Sequence, residues 1–215
     1  MTLEDVRVDG HGPWSFHVEA GERVAVIAGA SYARLALLSV LSGRQPPATG
    51  RMTLLGEDVY AAPEATVLDL LRQVGVVRKG GGLVSNLRAW ENIVLPVAYH
   101  SGQTWDEIEP RVRAFFDRLG LQGEVLEANL HSLPGLLPEH WRRVVGLVRA
   151  LIMEPRLMVY EALLDGLPGG LARAAGDLTA AFHAERPDRT SVFVVADGPA
   201  AFPLAAERTI DLQGD

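Results

Sequence analysis

The chain has 215 residues and no cysteine, which excludes a disulfide framework and any thiolate metal site. Lysine is almost missing too: Lys79 is the only one, and arginine supplies the rest of the 20 basic residues. No other position can therefore serve as a phosphate-gripping or Schiff-base lysine. Long apolar runs are absent. The longest, residues 144–153, is interrupted by Arg149 and is too short to span a bilayer. The first ten residues, MTLEDVRVDG, carry acids where a signal peptide would carry bases, so the reading is an intracellular protein whose membrane contact runs through a partner, without direct insertion. A net charge of −7 argues against broad nucleic-acid or anionic-lipid binding.

What remains is an ordinary globular composition, 48% hydrophobic and 22% charged, in a chain long enough for one large domain or a domain with an inserted lobe. Short strand patterns alternate with helical ones, which predicts an α/β fold with a mainly parallel sheet. Strands are expected at 2–8, 14–18, 23–28, 51–55, 74–77, 157–160, 191–196 and 208–212, and helices at 33–42, 66–72, 91–98, 105–119, 138–153 and 171–185. Gly80, Gly81 and Gly82 form the stretch expected to be most flexible, followed by a largely helical segment to about Leu133.

Residues 23–43, RVAVIAGASYARLALLSVLSG, read as buried strand, glycine turn and apolar helix, the local frame of a phosphate-binding loop. In GxxxxGK[ST] the glycines let backbone amides wrap phosphate, the lysine reaches the β and γ oxygens, and the hydroxyl holds Mg²⁺. Counting from Gly29, this chain puts Arg34, Leu35 and Ala36 in the last three places. A helix N-terminus and Arg34 could still attract an anion, but a Cβ at position 34 obstructs close approach, Leu35 supplies no charge and Ala36 no metal ligand. Gly29, Ser31, Arg34, Leu35 and Ala36 are the residues that would touch a nucleotide if one binds.

Taken in order, VEAGERVAVIAGAS, ATGRMTLLGEDV, QVGVVRK, LVSNLRAWENIVLPVAYH, RALIMEPRLMVYEALLDGLP and TSVFVVAD resemble the ATP-binding subunit of ABC transporters over essentially the whole chain, in a form similar to the lipid and organic-solvent branch. The resemblance implies a P-loop NTPase-like three-layer fold over residues 1–215, with an antiparallel N-terminal β part and a helical subdomain at about 83–150. It also implies a membrane permease or companion ATPase as partner, a homodimer or heterodimer, and a cytoplasmic place, peripheral at the inner membrane. The functional positions depart from the family. Lys79 stands for the γ-phosphate-sensing glutamine, and Leu137, Pro138, Glu139, His140 and Trp141 stand for the LSGGQ signature. Glu161 replaces the Walker B aspartate, Ala162 the catalytic glutamate, Pro168 the D-loop aspartate and Ala196 the switch histidine. Trp14 is read as core rather than as the aromatic that stacks adenine. Gly81, Leu83 and Trp90 lie where the family meets its membrane partner.

The six histidines show no metal-ligand spacing and are read as surface or loop residues, and no metal site is expected. Asp106, Glu107 and Glu109 suit the dipole at a helix start. Arg142 and Arg143 beside Trp141 read first as a solvated helix face and second as a contact for a partner or nucleic acid. The leading expectation is an inactive subunit, a pseudo-ATPase with no nucleotide cofactor and a structural or regulatory role in transport of a cargo such as lipid. Two alternatives stay open: a divergent ATPase using ATP and Mg with Arg34, Lys79 and Glu161 in replacement roles, and a soluble scaffold unrelated to transport.

Overall fold

The computed structural model describes residues 1–197 and 206–212. They fall into two compact units, one made of Met1–Val76, Pro155–Ala162 and His183–Asp215, the other of Val77–Glu154 and Leu163–Phe182.

The first unit contains two sheets. Strands β1 (Thr2–Val8), β2 (His11–His17), β4 (Thr49–Leu54) and β5 (Glu57–Asp58) form one in the order β2-β1-β4-β5, with antiparallel pairing. Strand β1 buries Leu3, Val6 and Val8; the alternation of a sheet with one buried face skips one residue between Leu3 and Val6, where the register shifts and Asp5 adopts φ +51°. The second sheet is built from β3 (Arg23–Ile27), β6 (Val74–Val77), β7 (Leu157–Glu161), β8 (Thr190–Val195) and β9 (Arg208–Asp211), ordered β6-β7-β8-β3-β9. The pairs β7–β8, β8–β3 and β3–β9 are parallel. Every residue of β7 and β8 is buried, as strands covered on both faces require.

Helix α1 (Ser31–Leu41) buries Leu37, Leu38, Val40 and Leu41 in a core that also takes Leu3, Trp14, Val24, Val26, Val159, Val192 and Val194. Trp14 is thus a core residue, as the sequence suggested. Helix α2 (Glu64–Leu71) adds Leu70 to the same core.

The second unit is helical: α3 (Ala89–Ser101), α4 (Trp105–Arg118), α5 (Gly123–Leu130), a 3-10 turn (Pro134–Leu136), α6 (Glu139–Ile152) and most of α7 (Gly169–Ala184). Helix α5 and strand β5 were not foreseen. Both are short, and their residues carry too few periods to register as a pattern. Helix α4 begins with a capping box, Thr104 N donating to Glu107 Oε2 at 2.7 Å, which holds the Glu107 carboxyl below its usual range.

Candidate functional site

Three strands of the first unit end side by side at the carboxyl edge of the parallel sheet, the usual place for a ligand in such folds. Ala28 N donates to Val195 O at 2.9 Å and Ala162 N to Val194 O at 3.0 Å. Strand β8 therefore holds the ends of both β3 and β7, and the residues that follow the three strands are Ala28, Ala162 and Ala196. Glu161 ends β7, buried. Ala162 adopts φ +46°, a left-handed geometry that costs a non-glycine residue about 1 kcal/mol.

The phosphate-loop segment is shorter than its motif. Helix α1 was expected from residue 33 but begins at Ser31, with Ala30 at the N-cap. Arg34 N donates to Ala30 O at 3.1 Å, so this amide is spent inside the helix. The physical reason lies in Arg34: a side chain here favours helical dihedrals that a glycine would resist, and its guanidinium secures the entry. Arg34 Nη1 donates to Ala28 O at 3.0 Å and also to Gly29 O, and Nη2 donates to Ser31 Oγ at 3.1 Å. Leu35 is 43% exposed, an apolar side chain where the motif has an ammonium, while Ala36 is buried.

In the second unit the signature segment and the Lys79 segment are bound together. Pro138 caps α6. One turn into that helix, Arg143 is only 2% exposed, which corrects the expectation of a solvated face. Its Nε donates to Lys79 O at 2.9 Å and its Nη2 to Glu139 Oε1 at 3.1 Å. Arg149 donates to Gly81 O and Gly82 O, both at 2.9 Å. Burial lowers the Arg149 pKa, yet an arginine keeps its charge at neutral pH.

The glycine stretch is consequently held, not loose. Gly81 has φ +79°, and a Cβ on it would lie 2.1 Å from Arg142 O; one on Gly146 would lie 2.6 Å from Gly81 O. Only glycines allow these two backbones to approach so closely. Asn92 fixes the following loop, accepting from Val84 N at 2.7 Å and donating to Val84 O and Leu87 O at 3.1 and 2.9 Å. Gly81 is buried and offers no surface, whereas Leu83 and Trp90 are half-buried.

Asn92 escaped the sequence reading, which took Arg149 only as a break in an apolar run and Arg143 as solvated. The usable signal was a polar residue inside an apolar stripe, Asn92 beside Ala89 and Ile93, and Arg143 beside Val144 and Leu147, since buried polar groups normally carry hydrogen-bonding duties. His183 also proves half-buried, bonded to Ser191 Oγ and Gly21 O at 3.1 Å each. Among the described residues no group of three or more His, Asp or Glu side chains could hold a metal ion.

The ABC transporter family matches residues 12–162. Lipoprotein-releasing system ATP-binding protein LolD 2 of Rhodospirillum rubrum is 29% identical, covering 92% of this chain and 83% of that protein. Cell division ATP-binding protein FtsE of Escherichia coli K12 is 24% identical, covering 74% of this chain and 71% of that protein. The dimeric MJ0796, described as a bacterial ABC transporter cassette, superposes with a TM-score of 0.83 at 18% identity, covering 98% of this chain and 93% of its own, a likeness of fold.

Proposed function

The chain belongs to the ABC transporter family, and we propose that within it this subunit is a pseudo-ATPase, joined to a membrane permease or a companion ATPase and serving a structural or regulatory role. The observation that carries the proposal is the helical winding of residues 31–34, with the Arg34 guanidinium on the carbonyls of Ala28 and Gly29.

Mg-ATP held in the manner of the motif does not fit the residues present. The wrapping amide of Arg34 is engaged in the helix, Leu35 brings no positive charge to β and γ oxygens, and Ala36 brings no hydroxyl to a metal. Phosphoryl transfer depends on positioning and on stabilised charge, and Ala162 and Ala196 supply neither a base nor a polar contact for water. These parts act as a unit, so their combined loss weighs more than any single one.

The partner follows from the family, and it would hold the subunit at the cytoplasmic face of the membrane. Among the described residues no helix is long and apolar enough to cross a membrane. For the cargo we propose a lipid or lipidated molecule. The LVSNLRAWENIVLPVAYH stretch supports this, as does a relative named for lipoprotein release that aligns over 92% of the chain.

The competing reading, a divergent ATPase, draws on Arg34 at the loop and the buried carboxylate of Glu161. Calorimetric titration with Mg-ATP and a phosphate-release assay separate the two. No heat of binding and no turnover are expected; turnover abolished by Arg34→Ala would overturn the proposal. Copurification of a permease with the tagged chain tests the partner, and its failure favours a soluble scaffold.

A further inference from the structure

Among the described residues β2 is an outer strand of the antiparallel sheet, and an outer strand offers its free N–H and C=O groups to any second strand that arrives. Which of its residues face outward follows from the register. Met1 N donates to Val18 O and Val18 N to Met1 O, both at 2.8 Å, so Val18 turns both groups toward the β1 side. Leu3 opposite Phe16 and Val6 opposite Trp14 continue the pairing. Backbone groups alternate in direction along a strand, which turns Pro13, Ser15 and His17 to the free edge.

Two of these three positions are closed. Pro13 has no N–H to give. The His17 carbonyl accepts from Arg208 Nη2 at 2.6 Å, and the same nitrogen donates to Glu22 Oε2 at 2.9 Å. Glu22 is itself fixed, its Oε2 accepting from Glu19 N at 2.6 Å. Arg208 is the first residue of β9 and lies opposite Val24 of β3, so a side chain from the parallel sheet reaches the edge of the antiparallel one. Among the described residues Ser15 alone of the three keeps both groups open, and one residue cannot hold a second strand.

We infer that the β2 edge is a latent pairing surface for a second copy of this chain, and that Arg208 keeps it shut. With the His17 carbonyl released, two β2 strands can lie antiparallel about a two-fold axis at Phe16. Ser15 of each copy then opposes His17 of the other, and each such pair exchanges N–H and C=O. The patch is self-complementary, as a two-fold interface requires. Ser15 and His17 are exposed while Phe16 is buried, so the polar side chains meet on the solvent face and the two phenyl groups stand opposite each other on the inner one. Every rung of this pairing needs a His17 carbonyl. One guanidinium per chain therefore blocks all of it.

The test compares the full wild-type chain with Arg208→Met, which keeps the aliphatic stem and loses the guanidinium, and with Arg208→Lys, which keeps a donor. Sedimentation equilibrium without nucleotide should show self-association about tenfold tighter, or more, in Arg208→Met than in the other two. The chain has no cysteine, so the register can be read directly. A mixture of Arg208→Met chains carrying either Ser15→Cys or His17→Cys should form a disulfide faster than either chain alone, because residues opposed in a ladder lie within bridging distance. That bridge reports this edge only, and a dimer formed through another face does not register. No tighter association in Arg208→Met than in wild type overturns the inference, as does equal association of Arg208→Met and Arg208→Lys. So does a mixture that bridges no faster than its components, or one that bridges as fast with Arg208 retained. Where Arg208→Met lowers the melting temperature by more than a few degrees, Arg208→Gln takes its place under the same readings.

Discussion

Arg143 Nε donates to the backbone carbonyl of Lys79 at 2.9 Å, from a side chain almost wholly withdrawn from solvent. This bond joins α6 to the Lys79 segment, the place where the resemblance expects a γ-phosphate sensor. The same guanidinium also holds Glu139, so the Lys79 segment and the first turn of α6 are fastened to each other by one buried side chain.

Arg143→Ala should therefore destabilise the protein by about 2 kcal/mol, since it leaves the Lys79 carbonyl without its donor and opens space beside α6. Glu139→Gln removes only the exposed end of the pair and should stay within about 0.5 kcal/mol of wild type. Urea unfolding of both variants measures the difference; equal effects would contradict the assignment.

Neighbouring glycines should behave in opposite ways. In Gly81→Ala the new Cβ meets the Arg142 carbonyl at 2.1 Å with φ at +79°, and a loss of about 2 kcal/mol or more is expected. A Cβ on Gly80 meets nothing within 4 Å, so Gly80→Ala should be neutral or stabilising by roughly 0.4–1 kcal/mol. Thermal unfolding of the pair, with proteolysis of the 79–88 segment, reports whether the loop is held as described.

The phosphate loop offers a gain-of-function experiment. Wild type should show no change in melting temperature with saturating Mg-ATP. The combined variant Arg34→Gly, Leu35→Lys, Ala36→Ser removes the guanidinium from the Ala28 and Gly29 carbonyls and restores the missing groups. It should acquire nucleotide-dependent stabilisation, of about 2.7 kcal/mol at a hundredfold excess over Kd. Stabilisation of the wild type that vanishes in Arg34→Ala would instead favour the divergent ATPase.

His183 should make stability depend on mildly acidic pH. Gly21 O can only accept, so the neutral ring donates from Nε2 to it and accepts at Nδ1 from the Ser191 hydroxyl. Burial first, then the nearby Arg23 charge, lowers its pKa below the ordinary 6.5. The unfolded chain thus takes up the proton more readily, and its contribution to stability is complete above about pH 6.5 and shrinks as pH falls through the lowered value. Melting temperature measured from pH 7.5 to 5 should drop on the acidic side, and His183→Gln should flatten that part of the curve.

The order of strands and helices was legible because periodicity is local. The buried runs of β3, β7 and β8, and the apolar faces of α1 and α6, announce themselves within ten residues or so, and the family resemblance supplied their arrangement. Boundaries at the phosphate loop were not legible. Whether residues 31–34 wrap as a loop or wind as helix depends on where the Arg34 guanidinium finds acceptors, and those acceptors are backbone carbonyls whose position only the folded β3 end defines.

The sequence by itself determined the family, the parallel sheet, and the residue types at the positions where the resemblance expects catalytic groups: a leucine, an alanine or a proline cannot be given a charge or an amide hydrogen by any fold. Tertiary structure alone decided what the replacements do. Arg143 reads as a surface charge until α6 turns it toward Lys79, sixty-four positions away, and Gly81 reads as slack until Gly146 lets the helix approach it. Such contacts join residues far apart in the chain, so their energies depend on geometry that no local pattern encodes.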